Sequence, residues 1–517
     1  MFNKDSRTKN VIKSSLTGTI INVINLLAGF IYRTVFIHFL SSSYLGISGL
    51  FANVLQILSF AELGLGTVIS FRLYQPILLN DTNKVGRLMN FYRKVYVCVA
   101  AIVAAAGLSV YPFLNYFIKD ASEIPADVNI NFVYLLYLFN CVSSYVYVTP
   151  QTLLVADQKQ YKYAIFQGAT KLCIYLVQFA ILVLMRSYTI TLISGIVTTL
   201  VCNVAISTYV KRQYPEVFAV KGSISKQERD EIFGDTKAML CHKVGATALE
   251  STDSLILSSF VGIVSTGIYS NYNLIITSVN SFLTQIFGSY IASLGNTHFS
   301  LDADKSYKVY KRLLFANFWI AGMCTVCLFI LIDDFIKIWI GEKMLFSSYV
   351  TVVFCVQFYL GAIRHISMAY TTGSGLFNRD IARPFIEAII NVIVSILLVI
   401  KIGIAGVFIG TIISHLLTVI WREPLLLYRY EFKRPVKEYW MMFSTFTALT
   451  LLLAVLIYRI KVLTGFICGN IFLWLLEAMI CILIYNLALA AIFVKNEDFK
   501  FYVQTIKQFI NRKLKKA

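Results

Sequence analysis

Residues 44–70 read YLGISGLFANVLQILSFAELGLGTVIS, an apolar run long enough for one membrane-spanning helix, with a carboxylate, Glu62, set inside it. A charge in hydrocarbon costs roughly 2.5–3.5 kcal/mol on insertion scales, so a glutamate retained there needs a compensating partner or a role. Similar runs recur along the 517-residue chain, which is 58% hydrophobic and 14% charged, against about 25% charged in soluble domains.

Fourteen runs reach the roughly 20 residues that cross a hydrocarbon core of about 30 Å. They cover 16–39, 45–70, 92–118, 128–150, 163–185, 188–210, 237–260, 266–293, 313–340, 347–371, 383–401, 403–428, 437–459 and 463–494. Backbone in lipid must satisfy its own hydrogen bonds, and unbroken runs of this length exclude barrel strands. The expected fold is an all-α polytopic membrane protein of about 14 transmembrane helices. The first run is too long for a signal-peptide core and is read as a retained span.

A cytoplasmic N-terminus puts most Lys and Arg on cytoplasmic segments, chiefly the 211–236 loop and the tail after Val494. The net charge of +19 then reflects topology and attraction to anionic headgroups rather than nucleic acid. All ten cysteines fall in spans, Cys324 and Cys327 included, so no disulfide framework is implied.

The 211–236 loop divides the chain into a six-helix bundle over 1–210, a second over 237–428, and two accessory helices with a basic cytoplasmic tail over 429–517. A shift of 221 positions lays FLSSSYLGISG, from Phe39, on FVGIVSTGIYS, from Phe260, matching Gly46 with Gly267 and Ile47 with Ile268. The two bundles are therefore expected to be pseudo-symmetric, in the same orientation, about an axis along the membrane normal.

Polar residues inside the spans recur at helical spacing. Gly18, Asn22, Asn25, Gly29 and Arg33 share one face of the first span, and Gln167, Lys171, Tyr175 and Gln178 one face of the fifth. Lys243, Thr247, Glu250 and Ser254, with Asp253 beside them, mark the seventh, and Arg364 and Glu387 lie in the tenth and eleventh. Small and polar residues also serve helix packing. Ionisable groups within spans point instead to a substrate or ion path, and together the stripes suit a hydrated transport cavity. Two pairs at similar depth, Arg33 with Asp253 and Arg364 with Glu387, are also candidates for structural ion pairs.

YRTVFIHFLSSSYLGISGLFANVLQILSFAELGLGTVIS, residues 32–70, resembles the amino-terminal signature of the polysaccharide flippases: an arginine in the first helix, a G-x-x-x-L-F turn region and an A-[ED]-L-G-[LI]-G stretch. These belong to the multidrug/oligosaccharidyl-lipid/polysaccharide exporter superfamily. The resemblance implies a transporter, not an enzyme. Its cargo would be a polyprenyl-diphosphate-linked oligosaccharide moved from the inner to the outer leaflet of a bacterial cytoplasmic membrane by alternating access, for O-antigen- or capsule-type polysaccharide, beside other polysaccharide-assembly proteins.

A diphosphate needs cations in a hydrated cavity, which makes Arg33, Lys171, Lys243 and Arg364 the candidate substrate ligands, with Asn22, Asn25, Gln167 and Gln178 beside them. No cofactor or metal is expected. A coupling H+ or Na+ would fall to Glu250, Asp253 or Glu387. Glu62, with Gly64 and Gly66, fits a structural or gating role. An ion-coupled multidrug extruder of the same superfamily is the nearer alternative. A membrane glycan polymerase is disfavoured by the short external segments.

Overall fold

A computed structural model describes the backbone of residues 7–59, 65–157, 159–298, 303–374, 376–465 and 469–514. Among these residues the chain is helical, without strands, and eleven helices are long and apolar enough to cross a membrane. The protein is a multi-pass, all-α membrane protein. Each of the fourteen apolar runs coincides with a helix or a broken helix pair.

One compact unit comprises Met1–Asn271 with Val399–Val407. It contains α1 (Arg7–Phe39), α2 (Ser42–Leu58), α3 (Leu65–Leu78), α4 (Thr82–Val110), α5 (Ile130–Ala156), α6 (Gln160–Met185), α7 (Tyr188–Gln213), α8 (Pro215–Ala219), α9 (Lys226–Phe260) and the first turns of α10 (Ile263–His298). The other comprises Tyr272–Leu398 with Phe408–Ala517. It contains the rest of α10, then α11 (Ala303–Ile340), α12 (Ser348–Ala362), α13 (His365–Gly373), most of α14 (Arg383–Ile402) and of α15 (Ile404–Leu417), α16 (Val419–Leu426), α17 (Lys437–Thr464), α18 (Ile471–Phe493) and α19 (Glu497–Leu514).

Side-chain oxygens start several helices by taking orphan backbone N–H groups. Asp81 accepts from Lys84 N at 2.9 Å, Asn129 from Phe132 N at 3.1 Å, and Ser225 with Glu228 forms a capping box at the start of α9. Gly465, at φ 60°, closes α17 in the left-handed region that glycine enters without penalty.

The single helix expected over 45–70 is two. The α2 helix ends at Leu58, where Ser59 returns its N–H to Ile57 and Leu55 O, and α3 begins at Leu65. The sequence here carries two glycines in ELGLG, each costing about 1 kcal/mol in a helix interior. Glu62 and Gly64 lie outside the described residues. The runs 347–371 and 403–428 are likewise broken, between α12 and α13 and at Thr418 between α15 and α16. Lys461 of α17 reaches Glu477 of α18 at 2.8 Å and Asp334 of α11 at 2.5 Å, which accounts for the carboxylate in the last apolar run.

The internal repeat has a physical counterpart within the first unit. A Cβ on Gly46 would collide with Ile263 O, and a Cβ on Gly267 with Ser42 O. The 221-position shift that carries Gly46 onto Gly267 also carries Ser42 onto Ile263. The contact between α2 and the start of α10 is thus reciprocal, as a local two-fold requires. Glu123 completes the corner by accepting from Val264 N at 3.1 Å beside Gly262, whose φ is 140°.

Gly46→Ala and Gly267→Ala should each destabilise the protein by about 1–3 kcal/mol through overpacking against backbone. Gly49→Ala, one turn on from Gly46 with open space at the Cβ position, should not. Thermal unfolding of the purified variants in detergent tests the difference.

Candidate functional site

In the first unit α1 packs along α6, and glycines set the approach. Ile21 and Asn25 occupy the space over Gly168, and the Tyr175 hydroxyl would lie 3.3 Å from a Cβ on Gly29. Tyr175 stacks on Tyr32 with ring centroids 5.3 Å apart. The two polar stripes meet along this seam.

Arg33 stands next to Tyr32 at its end. Arg33 Nε donates to Asn271 Oδ1 at 2.9 Å, and a terminal nitrogen of the guanidinium donates to Ser270 Oγ. Among the described residues these are the partners of Arg33, and both are neutral. The alternative pairing with Asp253 is therefore not made, although Asp253 is buried on α9.

Lys171 lies one turn before Tyr175 on the same face of α6, exposed and without a hydrogen bond or ion pair among the described residues. Asn22 is exposed, whereas Asn25 Oδ1 is buried without a partner. Gln167 donates to Gln151 at 3.3 Å, and Gln151 in turn to Asn203 at 3.3 Å. Gln178 turns away to α7, donating to Thr191 O at 3.2 Å beside Gly195. Gly66 opens α3, with the Tyr92 and Tyr96 hydroxyls 3.3 and 3.5 Å from where a Cβ would stand. Lys243 and Glu250 are on α9, their side chains outside the described residues.

The second unit holds a different arrangement. Arg364, at the α12–α13 break, binds Glu423 at 2.6 Å and approaches Glu387 at 4.0 Å. Arg383 bridges Asp380 at 2.6 Å, Glu387 at 2.8 Å and Glu423 at 3.7 Å, while Arg422 reaches Asp380 at 3.1 Å and His415 reaches Glu387 at 3.5 Å. Glu387, Glu423 and Asp380 are 1, 2 and 4% exposed as side chains. Three arginines and three carboxylates balance, so Arg364 and Glu387 share a larger neutral network.

Sequence reasoning missed Glu423, Arg383, Arg422 and Asp380. Glu423 carries the same signal as Glu62, a carboxylate in an apolar run. Arg383 and Glu387 are four residues apart on one helix.

No protein-family model matches the chain, and no curated protein does. Solved structures do. The lipid II flippase MurJ in an inward closed conformation is 12% identical over 93% of this chain and all of its own, at a TM-score of 0.66. An inward-facing multidrug resistance MATE family transporter of the MOP superfamily is 12% identical over 80% of this chain and 98% of its own, at 0.61. A MOP superfamily transporter from Pyrococcus furiosus is 13% identical over 81% and 95%, at 0.51. At these identities the likeness shows the fold alone: the chain has the all-α fold that the MurJ and MATE structures share.

Removing one partner of a buried ion pair strands the other charge. Glu423→Ala should therefore cost about 3–5 kcal/mol of stability. Glu231→Ala, which breaks a solvent-exposed pair with Arg72, should cost about 0–1 kcal/mol. Thermal unfolding of both variants measures the contrast.

Proposed function

We propose that the protein is a flippase that moves a polyprenyl-diphosphate-linked oligosaccharide from the inner to the outer leaflet of a bacterial cytoplasmic membrane, for cell-surface polysaccharide of the O-antigen or capsule type. Both termini are then cytoplasmic. The observation that carries the proposal is Arg33, a guanidinium inside the first span whose described partners are neutral, one helix away from the exposed Lys171. Such a group keeps its charge available for an anion, and a diphosphate is matched by bidentate arginine with a lysine as a second point charge. A lipid II flippase shares the fold over 93% of this chain.

Arg364 is a weaker diphosphate ligand because Glu423 and Glu387 already neutralise it. Coupling to H+ or Na+ would fall to the buried Asp253 or Glu387, with Glu250 beside Asp253 in the sequence. Occupancy of such a carboxylate would shift the inward-open and outward-open populations. A multidrug extruder, the second reading, shares the fold with the MATE transporter. It needs acidic groups free for a cationic cargo, and Asp380, Glu387 and Glu423 of the second unit are balanced by arginines.

In proteoliposomes carrying a fluorescent polyprenyl-diphosphate oligosaccharide, Arg33→Ala should slow translocation roughly 10- to 100-fold, the equivalent of a lost charge-assisted hydrogen bond. Lys171→Ala should slow it as well, and Arg33→Lys should keep part of the rate. Translocation at the native rate by correctly folded Arg33→Ala protein would refute the role of Arg33.

A further inference from the structure

Arg33 has a counterpart of opposite sign in the second unit. Asp333 is half-buried on α11, seven residues before the helix ends at Ile340, a distance of about 10 Å. Its Oδ1 accepts from Tyr272 Oη of α10 at 2.6 Å and from Thr351 Oγ1 of α12 at 3.0 Å. Tyr272 and Thr351 are 0 and 2% exposed. Tyr272 Oη itself accepts from Phe346 N at 3.1 Å, so its own proton is committed to the carboxylate. Among the described residues Asp333 Oδ2 has no hydrogen bond or ion pair.

The cation whose field reaches Asp333 is already spent. Lys461 of α17 directs its three N–H groups at Asp334 at 2.5 Å, Glu477 at 2.8 Å and Ile330 O at 3.1 Å. Lys337, one turn further along α11, is exposed and bound to Glu342 at 2.5 Å. The other titratable groups facing Asp333 among the described residues are Tyr272 and the buried Cys355 of α12. Asp333, Asp334 and Glu477 thus share one lysine, whereas Asp380, Glu387 and Glu423 are matched by three arginines.

We infer that Asp333 is the seat of a coupling proton. A carboxylate withdrawn from water without a counter-charge favours its neutral form. The geometry accommodates both forms. Ionised, the carboxylate is steadied by two hydroxyls; protonated on Oδ2, it keeps both hydrogen bonds through Oδ1. A proton needs only the lone pair that Oδ2 leaves open, while a sodium ion needs a shell of several oxygens, and Tyr272 Oη is already engaged by Phe346 N and Asp333. Glu387, the coupling candidate in the same unit, is held by Arg383 at 2.8 Å and so has the counter-charge that Asp333 lacks.

With both termini cytoplasmic, α11 runs outward and Asp333 lies towards the outer surface, where external protons arrive. Proton binding there removes an uncompensated charge and shifts the populations of the two access states, so uptake after the cargo leaves favours return to the inward-open state. The inference rests on the transporter proposed above and adds the identity and seat of its coupling ion.

Two readouts on the full-length protein test it. The first uses no cargo: infrared difference spectra of the protein in nanodiscs as the pH is stepped down. The native protein and Asp333→Glu should gain a protonated-carboxyl component that is missing from Asp333→Asn, a variant of the same shape that keeps an acceptor for both hydroxyls. The second is translocation of the fluorescent lipid-linked glycan in proteoliposomes. Acid on the side where α11 ends should speed the native protein by up to about tenfold per pH unit, and Asp333→Asn should run at one rate with or without that gradient. An unchanged carboxyl band in folded Asp333→Asn, a native rate indifferent to the pH gradient, or acceleration by a sodium gradient alone would overturn the inference. If the band depends on Asp333 while the native protein moves no glycan, the cargo proposal falls and the proton seat stands. If glycan moves and depends on Arg33 while the band is unchanged, the proton seat falls alone.

Discussion

Taking a guanidinium out of water is costly, and buried arginines are ordinarily matched by carboxylates. The arginines of the second unit obey that rule: Arg364, Arg383 and Arg422 each meet Asp380, Glu387 or Glu423. Arg33 does not. Its donors go to Asn271 and Ser270, which satisfy geometry without cancelling charge. A fold that neutralises one set of arginines and leaves Arg33 with neutral partners keeps a charge that the proposed anionic cargo would meet. The neighbouring packing of α1 on α6 holds that charge in place. Glycines at 29 and 168 let α1 and α6 approach, and Tyr32 and Tyr175 stack beside it.

The polar partners of Arg33 come from the first turns of α10, and the reciprocal glycine crossing of α2 and α10 fixes where those turns run. Gly46 against Ile263 and Gly267 against Ser42 are one contact written twice. A side chain at either glycine would force α10 away from α2 and move Ser270 and Asn271 with it. The repeat in the sequence is therefore more than ancestry. It is the register on which the setting of the cation depends.

Much of this was legible in the sequence because lipid leaves few choices. Long apolar runs have to be helices, and a shift of 221 positions pairs Gly46 with Gly267, the two glycines of the reciprocal contact. Of the stripe residues, Asn25 lies over Gly168 and Tyr175 over Gly29 and Tyr32, whereas Gln167 bonds Gln151 of α5 and Arg33 bonds α10. What escaped were features set by neighbours rather than by period. Gln178 has the stripe spacing but finds a carbonyl on α7. The end of α2 at Leu58 falls inside a run that hydropathy scores as continuous. The partner of Arg364 is Glu423, which α16 brings to it only because the helix breaks at Thr418. Spacing along one helix carries no information about such meetings between helices.

The central claim is that the cationic stripe exists for an anionic, glycan-bearing lipid. The most direct measurement gives the native protein a choice in one preparation of proteoliposomes: a fluorescent polyprenyl-diphosphate oligosaccharide in the bilayer and ethidium, an organic cation, in the lumen, with proton and sodium gradients imposed in turn. The account predicts that the lipid-linked glycan crosses and ethidium stays. Expulsion of ethidium under either gradient while the glycan lipid remains in its leaflet would contradict it.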